Sequence, residues 1–311
     1  RRNNTADVYK RAWTRLELKK IEGAEDDFNQ LRVRVPKSAE VAFLGGVLSL
    51  VKGNTENAEM LLREADRLRS NDSDIQYYLA MTLEKRNQPQ QARAILEALV
   101  AKQPDNYKSA LRLAAIYLRD KNNAQAVKLL AQYAESKSKD AEYLTIYSDA
   151  LVKSENYQEA LKFLTILESL DAESLYAKMA MGSASMGIGR YADAVAKFDE
   201  AGRIAPDNAE IIKARVGALL AMKQWQSAQD AATKWVVDHP GNVQAQLVLA
   251  ELYVHTKDFD DARQVYEKIL RSEKDNADAL KGLARLDMAS KEIESALSRY
   301  RELWKTSPGN E

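Results

Sequence analysis

The sequence has 311 residues, of which 46 are basic and 46 acidic, so its formal net charge at pH 7 is zero, and it contains no cysteine. A balanced charge argues against a nucleic-acid scaffold, which usually carries a basic excess. The absence of cysteine excludes disulfides, thiolate metal sites and cysteine nucleophiles. No apolar run approaches the length of a membrane span.

Along the chain, one alanine returns at a fixed step of 34 residues, with no insertion or deletion between its copies. A fixed period of this length indicates repeats that share one backbone and pack mainly on their neighbours. The recurring alanines are Ala24, Ala58, Ala92, Ala126, Ala160, Ala194, Ala228, Ala262 and Ala296.

When this alanine is placed at position 20, the chain divides into nine repeats, each read as two helical segments joined by a short polar break. Position 8 is small in every repeat except at Val216, and position 24 is bulky in every repeat except at Ala232. Helices approach closely only where side chains are small, so we expect contact at positions 8 and 20, with position 24 filling the space beside it. The repeats begin at Thr5, Ala39, Ser73, Tyr107, Ala141, Leu175, Ala209, Val243 and Ala277.

Turn-forming residues mark the end of each repeat and predict where its second helix stops. Proline at position 32 ends that helix in five repeats, and a following asparagine such as Asn106 or Asn208 is placed to cap the next helix. The prolines are Pro36, Pro104, Pro206, Pro240 and Pro308.

The repeat length together with these positions resembles the tetratricopeptide repeat (TPR) family over residues 5–310. The resemblance implies an all-α fold, a single right-handed α-solenoid superhelix of nine helix-turn-helix repeats. It also implies a non-catalytic scaffold for protein–protein interaction, with the partner in a concave groove that the first helices line, mainly through positions 2, 5, 9 and 12. The sequence departs from the family pattern in lacking the early tryptophan and in having the position 11 aromatic only at Tyr117 and Tyr253.

Large apolar side chains fill positions 5 and 9 of the first three repeats, where we expect one inner wall. Neighbouring first helices should lie on the order of 10 Å apart, which would make a continuous strip. One interpretation is a groove for an apolar helix or an extended segment of a partner. The alternative is that the rings pack against each other or against adjacent helices. The residues are Tyr9, Trp13, Phe43, Val47, Tyr77 and Met81.

A second surface, in repeats 4 and 5, carries basic residues at expected inner positions. It suits an acidic peptide or an anionic polymer. The alternative is a balanced, solvated set of charges, because Glu142 and Asp149 are close by. The basic residues are Lys108, Arg112, Arg119 and Lys153.

The sequence contains no residue pattern typical of catalysis or of cofactor binding. The two histidines, His239 and His255, lie in different repeats, and no glycine-rich phosphate loop is present. We therefore expect no catalytic residue, no cofactor and no metal. A chaperone-binding clamp of the family is also not expected, because no repeat pairs lysine at position 5 with asparagine at position 9.

Other roles remain open on the sequence alone. Alanine-rich segments such as residues 279–286 resemble, in style, the long TPR proteins of bacterial exopolysaccharide export, which lie in the periplasm or at the outer membrane. The chain is also suited to recruit substrates for a larger enzyme, or to stack head to tail through apolar ends. It opens at Arg1 and ends just after Pro308, so we expect a piece of a longer repeat protein.

Overall fold

The computed structural model describes residues 4–306, and over that range the protein is all-α, with nine consecutive helix pairs. Each first helix begins at the first residue of a repeat. Pro308 and the rest of the predicted range beyond residue 306 lie outside the described residues.

The first helices of the nine pairs are α1 Thr5–Glu17, α3 Ala39–Val51, α5 Ser73–Lys85, α7 Tyr107–Arg119, α9 Ala141–Lys153, α11 Leu175–Gly187, α13 Ala209–Ala221, α15 Val243–Thr256 and α17 Ala277–Ala289. The second helices are α2 Ile21–Arg34, α4 Thr55–Leu68, α6 Pro89–Lys102, α8 Asn123–Leu130, α10 Tyr157–Leu170, α12 Tyr191–Ile204, α14 Trp225–Asp238, α16 Phe259–Ser272 and α18 Ile293–Thr306.

Every first helix starts at a side chain that caps it. The residue just before the helix accepts a hydrogen bond from a backbone N–H of the first turn, which otherwise has no partner. The capping function inferred for Asn106 and Asn208 therefore extends to all nine repeats. The caps are Asn4, Ser38, Asp72, Asn106, Asp140, Ser174, Asn208, Asn242 and Asn276.

The turn inside each pair has a left-handed residue at position 15, with φ between 56° and 80° in all nine described repeats. The next N–H donates to a carbonyl five residues back, as from Lys20 to Arg15 at 2.8 Å, which closes the first helix. Only Gly53 and Gly189 are glycines, and five of the other seven residues are lysines.

The core lies where first and second helices meet. All nine position 20 alanines are 0 or 1 % exposed. At position 8, a Cβ added to Gly182 would come within 2.7 Å of Phe198 Cζ, the position 24 residue of the same repeat. Phe28 likewise packs over Gly45 of the next repeat. The bulky residue therefore fills space between its own first helix and the following one.

Repeat 7 departs from the pattern at both positions at once. Val216 stands where other repeats are small, and Ala232 where they are bulky, and both lie in one buried cluster. The larger side chain comes from α13 and the smaller from α14, so the two exceptions compensate in volume. Trp235, 4 % exposed, joins the same cluster.

Two compact units make up the chain, Arg1–Ser138 and Lys139–Glu311. The N-terminal unit contains α1 to α8, and its last helix is short and continues into a 3-10 helix, Ala131–Tyr133. The C-terminal unit contains α9 to α18. A single continuous solenoid over residues 5–310 stays a prediction.

Candidate functional site

An aromatic row, defined as Tyr9, Trp13, Phe43, Tyr78 and Tyr77, crosses the first helices of repeats 1 to 3 in the N-terminal unit. Ring centroids are 6.2 Å apart from Tyr9 to Trp13 and 5.3 Å from Trp13 to Phe43. The spacing continues at 5.4 Å from Phe43 to Tyr78 and 5.7 Å from Tyr78 to Tyr77. Each ring therefore holds its neighbour in a favourable edge-on or tilted geometry, and all five side chains are only half-buried.

The aromatic row is electrically neutral. Burial raises the pKa of Tyr9, an effect that its hydrogen bond with Trp13 only partly offsets. Burial also raises the pKa of Tyr78, with Tyr77 and Asp74 adding to the shift. Both phenols are therefore protonated across the physiological range, and the row offers ring surface with a few hydroxyl groups.

The other two residues predicted for this wall, Val47 and Met81, differ from each other in exposure. Val47 is 4 % exposed and belongs to the buried surface of α3, so it offers a partner almost no area. Met81 is half-buried and lies three residues after Tyr78 on α5. Sequence reasoning missed Tyr78, which stands at position 6, outside the positions that the family uses; the adjacent tyrosines 77 and 78 were the available signal.

Two of the three basic residues of α7 lie beside one acidic side chain, Glu84. Arg112 pairs with Glu84 and lies 5.9 Å from the centre of the Tyr77 ring, and Arg119 is 3.7 Å from the same carboxylate. Lys108 is exposed. Glu84 thus offsets much of the positive charge at this edge of the aromatic row.

Lys153 belongs to the C-terminal unit. Its Nζ lies 2.7 Å from Asp149, one turn earlier on α9. This partly exposed pair on one helix is of the kind that contributes a few tenths of a kcal/mol to stability.

A pocket opens on the first-helix side of repeats 7 and 8, in the C-terminal unit. It has a volume of about 520 Å³ and is lined by α13, α15 and the start of α14. Its floor is apolar, with Val216 and Leu252 4 % and 2 % exposed. Gly217 at position 9 leaves the space above α13 open, and Trp225 forms one wall. The sequence analysis recorded only that no repeat has lysine at position 5 with asparagine at position 9; in repeat 7 the residue at position 9 is Gly217, and a glycine at an inner position was the available signal.

The histidines stand in separate surroundings. His239 Nε2 is 2.7 Å from Asp207 at a repeat boundary, and His255 lines the pocket of repeats 7 and 8. Within residues 4–306, no three acidic or histidine side chains come together in a way that suits a metal ion. None of the helices over that same range is both long and apolar enough to cross a bilayer.

Comparison with known families identifies the repeats. One model described as tetratricopeptide repeat matches residues 50–111, 88–150, 219–286 and 256–311, and a second matches residues 148–209. These matches cover more than half of the chain, which therefore belongs to the tetratricopeptide repeat family. Its repeats make it a protein-interaction scaffold. No curated protein sequence matches the chain.

Solved structures share the fold. A tetratricopeptide repeat protein from Parabacteroides merdae is 15 % identical, with a TM-score of 0.59 over 80 % of this chain and 98 % of its own. MamA from Desulfovibrio magneticus RS-1 is 19 % identical, with a TM-score of 0.50 over 53 % of this chain and 94 % of its own. MamA from AMB-1 is 23 % identical, with the same TM-score over 54 % and 99 %. At these identities the likeness extends to the fold alone.

Proposed function

We propose that the chain is a non-catalytic scaffold that binds an apolar segment of a partner protein along the first helices of repeats 1 to 3. The observation that carries the proposal is the aromatic row, whose five rings form one half-exposed surface across three helices. Rings that are needed only for the core would be buried, as Phe198 is at 1 % exposed.

The packing between the rings favours binding. Each ring is held by its neighbours before a partner arrives, so little side-chain entropy is lost on association. Large, rigid aromatic surfaces are the side chains that most often dominate binding free energies. Mutual packing of the rings and binding of a partner are therefore compatible, because rings that pack on one another also present a fixed outer face.

The length of the row sets the length of the partner segment. Three first helices, each about 10 Å from the next, span about 20 Å. An extended chain covers about 3.3 Å per residue, so about six residues would lie along the row. Because the row is neutral, alternate apolar side chains on that segment would provide most of the contact.

A binding comparison tests this proposal. Peptides would first be selected from a random library against the whole chain, and their dissociation constants measured by fluorescence anisotropy. Truncating the row in a Tyr9→Ala, Phe43→Ala, Tyr77→Ala variant should weaken binding by at least about thirtyfold, the equivalent of about 2 kcal/mol. Circular dichroism would confirm that the variant keeps its helicity.

The matched control removes exposed apolar side chains from second helices of the same N-terminal unit. Val33 and Met60 are 84 % and 60 % exposed on α2 and α4. A Val33→Ala, Met60→Ala variant should bind the selected peptides like the unaltered chain. Equal affinity of the aromatic-row variant would place the binding surface elsewhere and overturn the proposal.

A further inference from the structure

The pocket of repeats 7 and 8 is an apolar hollow between α13 and α15. Val216, Val248 and Leu252, all buried, form its floor, and Trp225 stands 46 % exposed at its edge. Its volume of about 520 Å³ lies within the range of pockets that hold small molecules. The exposed Trp225 ring offers such a molecule an aromatic wall to pack against.

Gly217 keeps this space open without serving the packing of α13. An added Cβ would meet no atom within 4 Å, whereas a Cβ on a glycine of the helix contacts, such as Gly182, would collide with an aromatic ring. A bulky side chain at position 217 would instead stand in the pocket that this glycine lines. The pocket therefore depends on the absence of a large side chain at this position.

The charges on the first-helix side of repeats 7 to 9 balance one another. Three cations and three carboxylates are exposed there at positions 2, 5 and 9 of α13, α15 and α17. We therefore expect a ligand of this face to carry no net charge. The six residues are Glu210, Lys213, Glu251, Asp278, Lys281 and Arg285.

Of these six charges, one of each sign lines the pocket. Lys213 belongs to the α13 wall and Glu251 to the α15 wall, and within residues 4–306 no ion pair involves either side chain. Along α13 the lining runs from Lys213 to Ala221, a rise of about 12 Å at 1.5 Å per residue. Lys213 and Trp225 therefore stand at opposite ends of the pocket. His255, the third titratable residue of the lining, follows Glu251 by one turn of α15.

We propose that this pocket binds a free aromatic amino acid. Its carboxylate meets Lys213, its ammonium group meets Glu251, and its ring lies over Gly217 against Trp225. Such a zwitterion adds no net charge to the balanced face, and each of its charges finds a partner of opposite sign. The site lies in the C-terminal unit and is independent of the aromatic row, which belongs to the N-terminal unit.

Isothermal titration calorimetry of the whole chain with tryptophan tests the proposal. We expect saturable binding with a dissociation constant below about 1 mM, as suits so small a ligand. Three analogues follow: tryptamine lacks the carboxylate, indole-3-propionate lacks the ammonium group, and N-acetyltryptophan amide imitates a residue inside a peptide. Each should bind at least about threefold more weakly than tryptophan, because each loses at least one charged contact.

Two uncharged variants assign the charges of the ligand to their partners. Lys213→Gln should weaken tryptophan at least about threefold but cost tryptamine nothing, because tryptamine has no carboxylate to lose a contact. Glu251→Gln should weaken tryptophan by a similar factor but leave indole-3-propionate without loss. Lys281→Gln, on the same face but outside the lining, should bind tryptophan like the unaltered chain.

Filling the cavity tests the position of the ring. Gly217→Leu should weaken tryptophan at least about tenfold, because leucine occupies the ring's space, while Gly217→Ala should bind normally. Ser183→Leu places the same side chain at the exposed equivalent position of repeat 6 and should leave binding unchanged. Tyr77→Ala, in the aromatic row, should also bind normally, so that failure here is distinct from failure of the function proposed above.

Three results would overturn the proposal. The first is a titration in which tryptophan does not saturate the chain. The second is N-acetyltryptophan amide that binds as tightly as tryptophan, because the pocket would then take a side chain of a peptide. The third is equal affinity of Gly217→Leu and the unaltered chain. If circular dichroism shows that Gly217→Leu loses helicity, the paired losses in Lys213→Gln and Glu251→Gln decide.

Discussion

Asp287 shows how a single charge holds three helices together. Its side chain on α17 is 0 % exposed, and it accepts hydrogen bonds from Arg263 on α16 at 2.6 Å and from Arg299 on α18 at 2.7 Å. Burial alone would raise the pKa of Asp287, but the two guanidinium groups outweigh it and lower that pKa. The carboxylate is therefore charged throughout the neutral range and is the nearest counter-charge of both arginines.

We expect Asp287→Asn to lower the free energy of unfolding by about 3 kcal/mol, because two arginines lose their buried counter-charge. Since the folded-state pKa is depressed, the stabilisation is present above the unfolded value of about 3.9 and disappears as pH falls through the lower folded value. Urea unfolding of both proteins should converge as pH drops from about 5 towards about 2. Asp278→Asn, exposed on the same helix, is the control, and an equal loss there would contradict the assignment.

The left-handed residue at position 15 is a second place where one residue affects the stability of a repeat. Lys121 has a φ of 61° there and Gly53 a φ of 80°. A residue with a Cβ costs about 1–2 kcal/mol in this conformation. Glycine avoids that cost, but part of the gain is lost because glycine gives the unfolded chain more conformational entropy.

We therefore expect Lys121→Gly to raise the free energy of unfolding by about 0.5–1 kcal/mol. Gly53→Ala should lower it by about 1 kcal/mol, although an added Cβ meets nothing within 4 Å. Urea denaturation measures both effects. Lys121→Ala is the matched control, since alanine keeps the Cβ and should bring no gain; a gain equal to that of glycine would assign the effect to the lost lysine charge.

At the scale of the helix pair, glycine is required in one place and dispensable in another. Gly182 on α11 lies against the Phe198 ring, while Gly217 on α13 faces open space. We expect Gly182→Ala to destabilise the chain by about 1–3 kcal/mol through overpacking. Gly217→Ala should stabilise it by up to about 1 kcal/mol through helix propensity. Thermal unfolding of the two variants should move in opposite directions, and a shift of the same sign would refute the contact assignment.

Most of the helix architecture could be predicted from the sequence, because it depends on residue size at fixed positions. The alanines at position 20, the starts of the first helices and the caps before them all follow from local chemistry that repeats. Position 15 could be read in this way only at Gly53, Gly189 and Asn87, residue types that favour a left-handed conformation. The five lysines and the glutamate of the other repeats carry no such signal. The ring contacts of Tyr78 depend on side-chain orientation, and the Gly217 pocket depends on what neighbouring helices leave unfilled. Neither is visible in a periodic pattern.

At the scale of the whole molecule, α18 carries an exposed apolar stripe. Ile293, Leu297, Tyr300 and Trp304 lie on one helix face and are all exposed, Trp304 by 70 %. The chain has no net charge to oppose association. The first helix, α1, instead exposes polar residues such as Asp7, Lys10 and Thr14. Head-to-tail stacking would place these on the stripe, whereas pairing of two α18 helices about a two-fold axis would bury apolar surface on both sides.

We therefore expect a weak, closed dimer through α18. One helix face per partner buries less than about 1,200 Å², the range of transient contacts. Sedimentation equilibrium should show dimer only at high protein concentration, with no larger species. Trp304→Gln should leave a monomer, while Val237→Gln, which removes a residue 69 % exposed on α14, should dimerise normally. A monomer at every concentration would contradict self-association, and open-ended growth would show that the polar α1 face binds the stripe after all.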